Sequence, residues 1–458
     1  MEKDVIVAQA TPHGKGAIAL IRLSGKEVRH ILDKCAQLKS KQKIAEVKTH
    51  TIHYGTIYDK DENIIDNVLF LVTDGPRSFT GENAIEITSH NNPFIINKII
   101  ERTIECGARR ALPGEYSERA VLNKKIDLLQ AEAIHDLLSA QSELQTQLAL
   151  GQLEGTLSAE IQKIDDELCA LAAWSQASFE FLDEERDFQS VILEKAESIK
   201  KSVESLLNQH NFSTLIKEGL KIGIIGSTNV GKSSLLNVIL NQKKAIVTDI
   251  PGTTRDVVEG TLYKDNIYWT FLDTAGIRKT ADLIEQTGIQ KSHEIAEKAD
   301  ILLVVFTFKE EEDQEIKKTY HDIIMRHLGK IIFIRNKIDL SHQSNISENF
   351  FSQFSSLAVS THTLEGIEEI IAAIQKKKEE LFNTHNISFL LNTRHVSALT
   401  ETKEKLEYIV KLLRTNSPLY EIILMLIHET QKTLTLMSGK TVEEKSFDKV
   451  FRSFCVGK

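Results

Sequence analysis

Two hydrophobic periodicities divide the chain into segments of different kinds. Over residues 1 to about 119, short apolar runs such as 64–72 are separated by turns rich in glycine and proline, which predicts strands of an α+β domain. From Ile126 onwards, apolar residues recur every three or four positions, which predicts long amphipathic helices. This helical pattern stops near Asn211 and resumes after Asn383. We therefore expect one helical domain that is interrupted by an inserted domain.

The inserted segment begins with a strand, a glycine-rich loop and a helix in direct succession. Residues 221–225 are mostly apolar, residues 226–233 fit the pattern G-x-x-x-x-G-K-[ST], and a helix opens at Ser234. In such a loop the backbone N–H groups point at a polyphosphate, near the positive end of the helix dipole. Lys232 is expected on the β- and γ-phosphates, and the Ser233 hydroxyl on Mg²⁺.

Two more nucleotide motifs follow in order. A strand at 267–272 ends in Asp273-Thr274-Ala275-Gly276, where Asp273 would hold Mg²⁺ through water and the Gly276 N–H would face the γ-phosphate. After a later strand comes Asn336-Lys337-Ile338-Asp339. The carboxylate of Asp339 can accept hydrogen bonds from the N1–H and 2-amino groups of guanine, a pair that adenine does not offer. The sequence therefore predicts a Ras-like, mostly parallel GTPase domain.

The loop at 249–256 and the residue after Gly276 leave two roles open. Thr254 in this loop can add a second hydroxyl to the metal, but Ile277 stands where the glutamine that positions water is often found. Another group must position the water, and another charge must face the phosphates, because a charge of this kind accelerates hydrolysis by roughly 10³ to 10⁵. The candidates are Asp282 and Glu285 for the water, and Arg255, Arg278 or a monovalent cation for the charge.

Length, charge and cysteine content limit the possibilities further. The 458 residues suffice for two to four domains, and the formal net charge of −9 argues against a generally basic nucleic-acid binder. The four cysteines are far apart in sequence, which suggests neither a disulfide framework nor a zinc site and fits a reducing cytosol. We expect neither a signal peptide nor a membrane span, because no apolar run is long enough.

Two ionisable residues are unusual for strands with buried faces. Arg22 lies within an apolar run, and Glu86 stands between Ile85 and Ile87. Each must be exposed to water, paired with an opposite charge or bound to a ligand. A solvated sheet face is the simplest interpretation of the pattern alone.

With these motifs in place, the whole chain resembles the family of tRNA-modification GTPases MnmE, also called TrmE. The resemblance is carried by VAQATPHGKGAIALIRLSG near the start, SFTGEN, LPGEYSERAVLNKKIDLLQAEAI, the GTPase motifs with TDIPGTTRD, and SFCVGK near residue 458. It implies a multidomain α/β plus α fold. Its domains would be an N-terminal folate-binding and dimerisation domain at 1–119, a helical domain at 120–215 and 383–458, and an inserted G domain at 216–382.

The resemblance also implies an activity and partners. Members of the family work with the FAD protein MnmG, in a heterotetramer, to build the (carboxymethyl)aminomethyl group at carbon 5 of the wobble uridine in certain tRNAs. They form homodimers through their N-terminal domains, and their G domains pair across the dimer when GTP and K⁺ are bound. For this chain we therefore expect the partners GTP, tRNA and MnmG, a cytoplasmic location and no membrane contact.

Residues are assigned to the nucleotide and its ions by matching them to the family pattern. Glu285 matches the glutamate that orients the attacking water, and Asn229, Thr248, Ile250 and Thr253 match the K⁺ ligands. Ser233 and Thr254 are the expected Mg²⁺ ligands. The full set expected around GTP is Asn229, Val230, Gly231, Lys232, Ser233, Ser234, Thr248, Asp249, Ile250, Pro251, Gly252, Thr253, Thr254, Asp273, Thr274, Ala275, Gly276, Asn336, Lys337, Asp339, Ser360, Thr361 and His362.

A second set is assigned to a folate ligand. Arg22, Glu86, Lys125 and Lys458 match the family's contacts to 5-formyltetrahydrofolate or another tetrahydrofolate derivative. Arginine and lysine suit the glutamate tail of a folate, and a carboxylate suits the amino and N–H groups of the pterin. Cys455 is a candidate nucleophile for one-carbon chemistry, with an inert cysteine as the equal alternative.

Three departures from the family pattern affect these sites. Asn91-Asn92-Pro93 replaces the usual glycines after Ser89-His90, Ser227-Thr228-Asn229 lacks the usual proline, and Ser360-Thr361-His362 replaces S-A-K. Threonine can supply the same backbone N–H to the guanine as alanine, but histidine is expected to stack less well on the base.

Two functions from different classes remain open on the sequence. The first is a GTP-hydrolysing enzyme of a folate-using tRNA modification complex. The second is a GTPase binding switch in ribosome assembly, for which we find no RNA-binding module. Folate binding discriminates between them.

Overall fold

The computed structural model describes residues 4–180, 188–241, 258–273, 284–308, 314–340, 354–382, 388–440 and 457. The chain divides into two compact units. Unit 1 comprises Met1–Leu138, Leu150–Glu204 and Arg394–Lys458, and unit 2 comprises Ser139–Ala149 and Ser205–Thr393.

Unit 1 contains a seven-stranded sheet with the spatial order β3-β4-β5-β6-β2-β1-β7, in which only the β1–β7 pair is parallel. Its strands are β1 Val5–Gln9, β2 Ile18–Ser24, β3 Ala36–Leu38, β4 Thr51–Tyr58, β5 Ile64–Thr73, β6 Ala84–His90 and β7 Ala108–Arg110. Three helices accompany it: α1 Val28–Asp33, α2 Pro93–Glu105 and α3 Glu115–Leu122.

The two faces of this sheet differ because side chains alternate along each strand. Ile21 and Leu23 of β2 and Ile85 and Ile87 of β6 are buried in one core with α1 and α2. The alternate positions of both strands, among them the directly opposed Arg22 and Glu86, point to the other face. The two charges that are unusual in apolar strands, Arg22 of β2 and Glu86 of β6, therefore point away from the core.

Helices follow the first domain and continue through the rest of the chain. In chain order they are α4 Leu128–Ser139, α5 Glu143–Leu153, α6 Thr156–Glu180, α7 Phe188–Asn208, α8 His210–Glu218, α9 Lys232–Asn241, α10 Ile284–Lys298, α11 Gln314–His327, α12 Ile367–Phe382, α13 Thr393–Leu413 and α14 Tyr420–Ser438. Within unit 1, α14 packs along α6.

Two of the predicted apolar stripes, those of α6 and α13, are buried where the helices pack. All five stripe positions of α6 are buried: Leu157, Ile161, Ile164, Leu168 and Leu171. The stripe of α13 is buried as well: Leu399, Leu406, Ile409, Val410 and Leu413. These residues form core, as periodicity of this kind indicates. None of the helices in the described residues is both long and apolar enough to cross a membrane.

Unit 2 is built on a six-stranded sheet of order β13-β12-β11-β8-β10-β9, parallel except for the β9–β10 pair. The strands are β8 Leu220–Ile225, β9 Val258–Lys264, β10 Ile267–Asp273, β11 Ile301–Phe306, β12 Ile331–Arg335 and β13 Ser356–Ala358. All six residues of β11 are buried, because a central parallel strand is covered on both faces.

Unit 2 extends beyond the predicted G-domain range of 216–382. The side-chain amide of Gln145 on α5 donates to the carbonyls of Ile216 and Lys217. Leu148, Ile216 and Leu390 share an apolar cluster. Part of α5 before the insert and the segment around Leu390 after it thus pack with the insert.

Candidate functional site

The loop between β8 and α9 has the backbone form that phosphate binding needs. Gly226 and Gly231 have φ angles of 152° and 96°, and Asn229 has a φ of 64° in the left-handed region. The ammonium of Lys232 lies over the loop, 2.9 Å from the Gly226 carbonyl oxygen and 2.7 Å from that of Ser227. Ser233 and Ser234 lie in the first turn of α9, so their N–H groups lie at the positive end of its dipole.

Asn336 joins this loop to the predicted base-reading motif. Its side chain is fully buried and donates to the Val230 carbonyl at 2.7 Å. Its side-chain oxygen accepts from the backbone N–H of Lys337 at 2.8 Å and from that of Thr361 at 3.3 Å. One amide therefore holds together three segments that are far apart in sequence. Gly231 faces this amide so closely that a Cβ on it would lie 2.3 Å from the Asn336 nitrogen.

The phosphate loop and the segment 360–362 also hold Lys337 and Asp339 in place. The ammonium of Lys337 donates to the Asn229 carbonyl at 2.6 Å. The carboxylate of Asp339 accepts from the Ser360 hydroxyl at 2.7 Å, and that hydroxyl in turn accepts from the N–H of His362 at 3.3 Å. The departure from S-A-K thus keeps the serine that orients the aspartate, and His362 itself is exposed.

Several predicted site residues lie outside the described residues. They are Thr248, Asp249, Ile250, Pro251, Gly252, Thr253, Thr254, Thr274, Ala275, Gly276, Cys455 and Lys458. Asp273 is the last residue of β10, where its backbone pairs with Ile224 beside the start of the phosphate loop. Glu285 lies in the first turn of α10. The roles given to these residues stay predictions.

In unit 1, the residues predicted around folate surround one part of the open sheet face. The guanidinium of Arg22 pairs with the Glu86 carboxylate at 2.7 Å, and both side chains are partly exposed. Arg22 also lies 3.5 Å from the carbonyl oxygen of Gly457. A Cβ on Gly457 would lie 2.3 Å from the Gln9 carbonyl oxygen, so residue 457 packs directly against the end of β1.

Lys125 reaches the loop that precedes β6. Its ammonium donates to the Pro76 carbonyl at 2.8 Å, and its side chain passes against Gly81. Arg22, Glu86 and Lys125 are therefore held near one loop, 74–83, by contacts with it or with the adjoining strand.

A buried ionic network beneath this loop was not found by sequence reasoning. Glu82 accepts from Arg119 at 3.0 Å and from the Ser24 hydroxyl at 2.9 Å, and Ser24 meets the Thr80 hydroxyl at 2.7 Å. Arg119 also pairs with Glu115 at 2.9 Å. Burial raises the pKa of the Glu115 carboxyl. Hydrogen bonds from Arg109, the Leu112 N–H and Arg119 together outweigh this effect, so the net shift of the pKa is downward. One signal for this network is present in the sequence: Thr80 and Glu82 fall in SFTGEN, and Glu115 and Arg119 fall in LPGEYSER.

The same sheet face continues as an exposed apolar strip along β5 and β4. The register places Leu71 opposite Glu86 and Leu69 opposite Thr88. On the other side of β5, Ile52 lies opposite Leu71, and Tyr54 opposite Leu69. Ile52 is 64% exposed and Tyr54 52% exposed. We call Ile52, Tyr54, Leu69 and Leu71 the apolar strip.

A second buried charge cluster lies among the helices of unit 1. Glu132 on α4 accepts two hydrogen bonds from Arg394, at 2.6 and 2.8 Å, and one from His395 at 2.6 Å. Burial alone raises the pKa of the Glu132 carboxyl, but the hydrogen bonds from His395 and Arg394 outweigh it and lower the pKa to about 2. Arg394 also donates to the Met437 carbonyl near the end of α14, so the cluster joins three helices.

The sheet order of unit 2 and the contacts of its phosphate loop define a class, the Ras-like P-loop proteins that hydrolyse GTP. Comparison with known proteins gives the family. Residues 5–125 match the model described as GTP-binding protein TrmE N-terminus, and residues 128–455 match the MnmE helical domain.

Curated relatives extend over the whole chain. The tRNA modification GTPase MnmE of Bacillus pumilus (strain SAFR-032) is 37% identical over 466 residues, which cover 99% of this chain and all of that protein. The proteins of the same name from Bacillus subtilis (strain 168) and Aquifex aeolicus (strain VF5) are 36% and 35% identical, over 99% and 100% of this chain and all of theirs. The chain belongs to the MnmE family of tRNA modification GTPases.

Proposed function

We propose that this protein is a potassium-activated GTPase that modifies tRNA together with the FAD protein MnmG. It would install the (carboxymethyl)aminomethyl group at carbon 5 of the wobble uridine, using a one-carbon unit from a tetrahydrofolate, in the cytoplasm. The observation that carries this proposal is the partly exposed Arg22–Glu86 pair on the open sheet face, in a chain whose other unit is a GTPase. Such a pair offers a cation and a carboxylate side by side to a ligand, which a nucleotide switch alone does not require.

In unit 2, the contacts made by Asn336 support binding of GTP in one defined position. They fix the phosphate loop relative to Asp339, so a guanine held by Asp339 would direct its phosphates to the loop. The ammonium of Lys232 rests on two carbonyls of the loop, from which it can turn to the β- and γ-phosphates.

Two metal ions fit the residues of this site. Ser233 and Thr254 would hold Mg²⁺, with Asp273 acting through water, and their hard oxygen donors suit that ion. Asn229, Thr248, Ile250 and Thr253 would hold K⁺, and the left-handed backbone of Asn229 fits a residue turned towards a bound ion. When bound, K⁺ supplies the positive charge that an arginine finger supplies elsewhere. Glu285 would orient the attacking water.

The open face of unit 1 supports a folate site. Glu86 would accept from the pterin N–H groups, while Arg22, Lys125 and Lys458 would face acidic groups of 5-formyltetrahydrofolate or a related tetrahydrofolate. Cys455 would be within the segment that leads to Gly457, which contacts Arg22. Its role as a nucleophile is part of the proposal.

A homodimer would form through the apolar strip. A contiguous exposed apolar surface on a sheet is unusual in a protein that does not associate. Leu71 of the apolar strip lies opposite Glu86, so the strip adjoins the Arg22–Glu86 pair. A second copy of the chain bound to the strip would therefore also border the folate site. MnmG would join the dimer to give a heterotetramer.

The experiment that tests the proposed hydrolysis mechanism is the steady-state rate of GTP hydrolysis in KCl and in NaCl at equal ionic strength. It compares the native chain with Asn229→Ala and Glu285→Ala. We expect strong stimulation by K⁺, loss of that stimulation in Asn229→Ala, and no activity in Glu285→Ala in either salt. Equal native rates in the two salts would contradict potassium activation and point to Arg255 or Arg278 for the charge.

Folate binding separates this proposal from the ribosome-assembly switch. Calorimetric titration of the full chain with 5-formyltetrahydrofolate should give saturable binding that Arg22→Ala abolishes. A binding switch predicts no saturable binding, and that result would contradict the folate-dependent function while leaving GTP hydrolysis intact.

A further inference from the structure

The guanidinium of Arg22 lies between two aromatic rings. Its central carbon is 5.6 Å from the ring centroid of Phe79 and 5.7 Å from that of Tyr116. Both distances are within the range of cation–π attraction. The two rings differ in burial: that of Tyr116 is buried in the core, whereas that of Phe79 is exposed. This difference indicates a structural role for Tyr116 and a binding role for Phe79.

Tyr116 is part of the protein core. Its ring is fully buried, and its hydroxyl donates to the carbonyl of Arg22 at 2.6 Å. Burial raises the pKa of the Tyr116 phenol, so the group stays protonated and remains a donor. Tyr116 therefore fixes the backbone of Arg22 from inside the sheet.

Phe79 is held out in water by residues that are themselves buried. Its ring is 39% exposed, whereas its neighbours Ser78 and Thr80 are 8% and 1% exposed. The Ser78 hydroxyl donates to the Glu82 carbonyl, and the Thr80 carbonyl accepts from the Asn123 side chain at 2.7 Å. Because the flanking residues are anchored, the ring cannot withdraw into the core to reduce its contact with water.

The surroundings of this ring are those of a ligand site. One part of the ring lies against Arg22, which pairs with Glu86, and the same loop accepts the ammonium of Lys125 through Pro76. Binding sites for small molecules combine an apolar or aromatic surface with a few fixed polar groups. An aromatic ring prepositioned beside the Arg22–Glu86 pair, on a loop that also holds Lys125, suits a ligand that is itself partly aromatic and partly charged.

We propose that Phe79 is a ligand-contacting residue of the folate site, and that its exposed ring packs against an aromatic part of the bound tetrahydrofolate. This inference rests on the proposed folate function and adds the residue that would recognise the ligand's rings. Stacking against Phe79 covers apolar surface on both partners, while Arg22 stays in place through Tyr116 and Glu86.

The test is calorimetric titration of the full chain with 5-formyltetrahydrofolate, for the native protein and three variants. Phe79→Ala should weaken binding roughly tenfold, because one aromatic contact is lost. Phe79→Tyr keeps the ring and should bind within about twofold of the native chain. Phe94→Ala is the matched control, since Phe94 is an exposed phenylalanine of the same unit, at 80%, that makes no contact with Arg22 in the described residues.

Titration with p-aminobenzoylglutamate and with tetrahydropterin identifies the ring that Phe79 meets. The fragment whose affinity falls in Phe79→Ala, while the other is unchanged, carries the contact. Thermal midpoints and the rate of GTP hydrolysis of each variant show whether the fold is intact, and we expect both to match the native values.

Two results would overturn this inference, and they are distinguishable. Native binding with an unchanged affinity in Phe79→Ala would remove Phe79 from the site and leave the folate proposal standing. No saturable binding by the native chain would overturn the folate proposal itself, together with the role given to Phe79.

Discussion

A single buried carboxylate, Glu132, joins α4 to α13 through Arg394 and His395. Its pKa falls from 4.5 to about 2 in the folded protein, which corresponds to about 3 kcal/mol of stabilisation. Because the folded pKa is the lower one, this stabilisation is present above about pH 5 and is lost as the pH falls towards 2.

Glu132→Gln should therefore lower the stability of the protein at pH 7 by about 3 kcal/mol or more, because it also removes the carboxylate that neutralises Arg394. The difference from the native chain should shrink as the pH approaches 2. Urea unfolding at several pH values measures this. Glu401→Gln is the control: the pKa of Glu401 is also lowered, chiefly by Lys405, but the carboxylate is largely exposed and its removal should change little. Equal effects of the two substitutions would contradict the special role of Glu132.

Gly231 is a residue of the nucleotide site that leaves no room for a side chain. Its φ angle of 96° disfavours any other residue, and a Cβ would lie 2.3 Å from the Asn336 side chain. We expect Gly231→Ala to weaken the binding of a fluorescent GDP analogue by at least about 100-fold, since it must displace the amide that joins the loop to the base reader. Gly329→Ala serves as the control, because a Cβ there meets no atom within 4 Å. Tight nucleotide binding by Gly231→Ala would show that the contact is not needed.

Among single residues, the sequence predicted the candidate site best where a residue interrupted a local hydrophobic pattern. Arg22 and Glu86 interrupt apolar strands, and the structure places them opposite each other on the open face. The pair of Glu82 with Arg119 breaks no pattern, because it joins a loop to a helix 37 positions away. Such a contact depends on how elements come together, which no local period encodes.

Among the elements, β4 and β5 form the part of the unit 1 sheet where apolar residues remain exposed. Tyr54→Glu places a charge in the middle of the apolar strip and should weaken self-association, because burying an unpaired carboxylate is unfavourable. Sedimentation velocity over a range of concentrations measures the effect. Tyr408→Glu is the matched control on α13, where Tyr408 is similarly exposed, at 48%. A native chain that sediments as a monomer, or a Tyr54→Glu protein as associated as the native one, would argue against dimerisation through the strip.

Long elements were easier to predict than short ones. The helices α6 and α13 have 25 and 21 residues, so the period of 3.6 residues in their stripes is unmistakable, and each stripe position named above is buried. The strands β3 and β7 have only three residues each, which is too short for an alternation to be recognised. The assignment of Ser139–Ala149 to unit 2 was also not predicted, because α5 shows no one-sided apolar face from which its packing partner could be inferred.

For the whole molecule, the division into two compact units predicts how ligands affect unfolding. GDP at about 100 times its dissociation constant should stabilise the unit it binds by about 2.7 kcal/mol. We expect calorimetry to resolve a transition that moves to higher temperature with GDP and one that does not. In Gly231→Ala, GDP should move neither transition. A single transition that shifts as a whole would mean that the two units unfold together.

The contact between Arg22 and Gly457 determines when, during synthesis of the chain, the surface around Arg22 can form. These residues are separated by 435 positions along the chain. At about 5–20 residues per second, a ribosome needs roughly 20 to 90 seconds to travel that distance. Throughout this interval the strands of the first domain can pair, but the carbonyl of residue 457 has not been made. The surface around Arg22 is therefore completed long after the sheet that carries it, and a chain that ends before residue 457 would carry a finished sheet with an unfinished site.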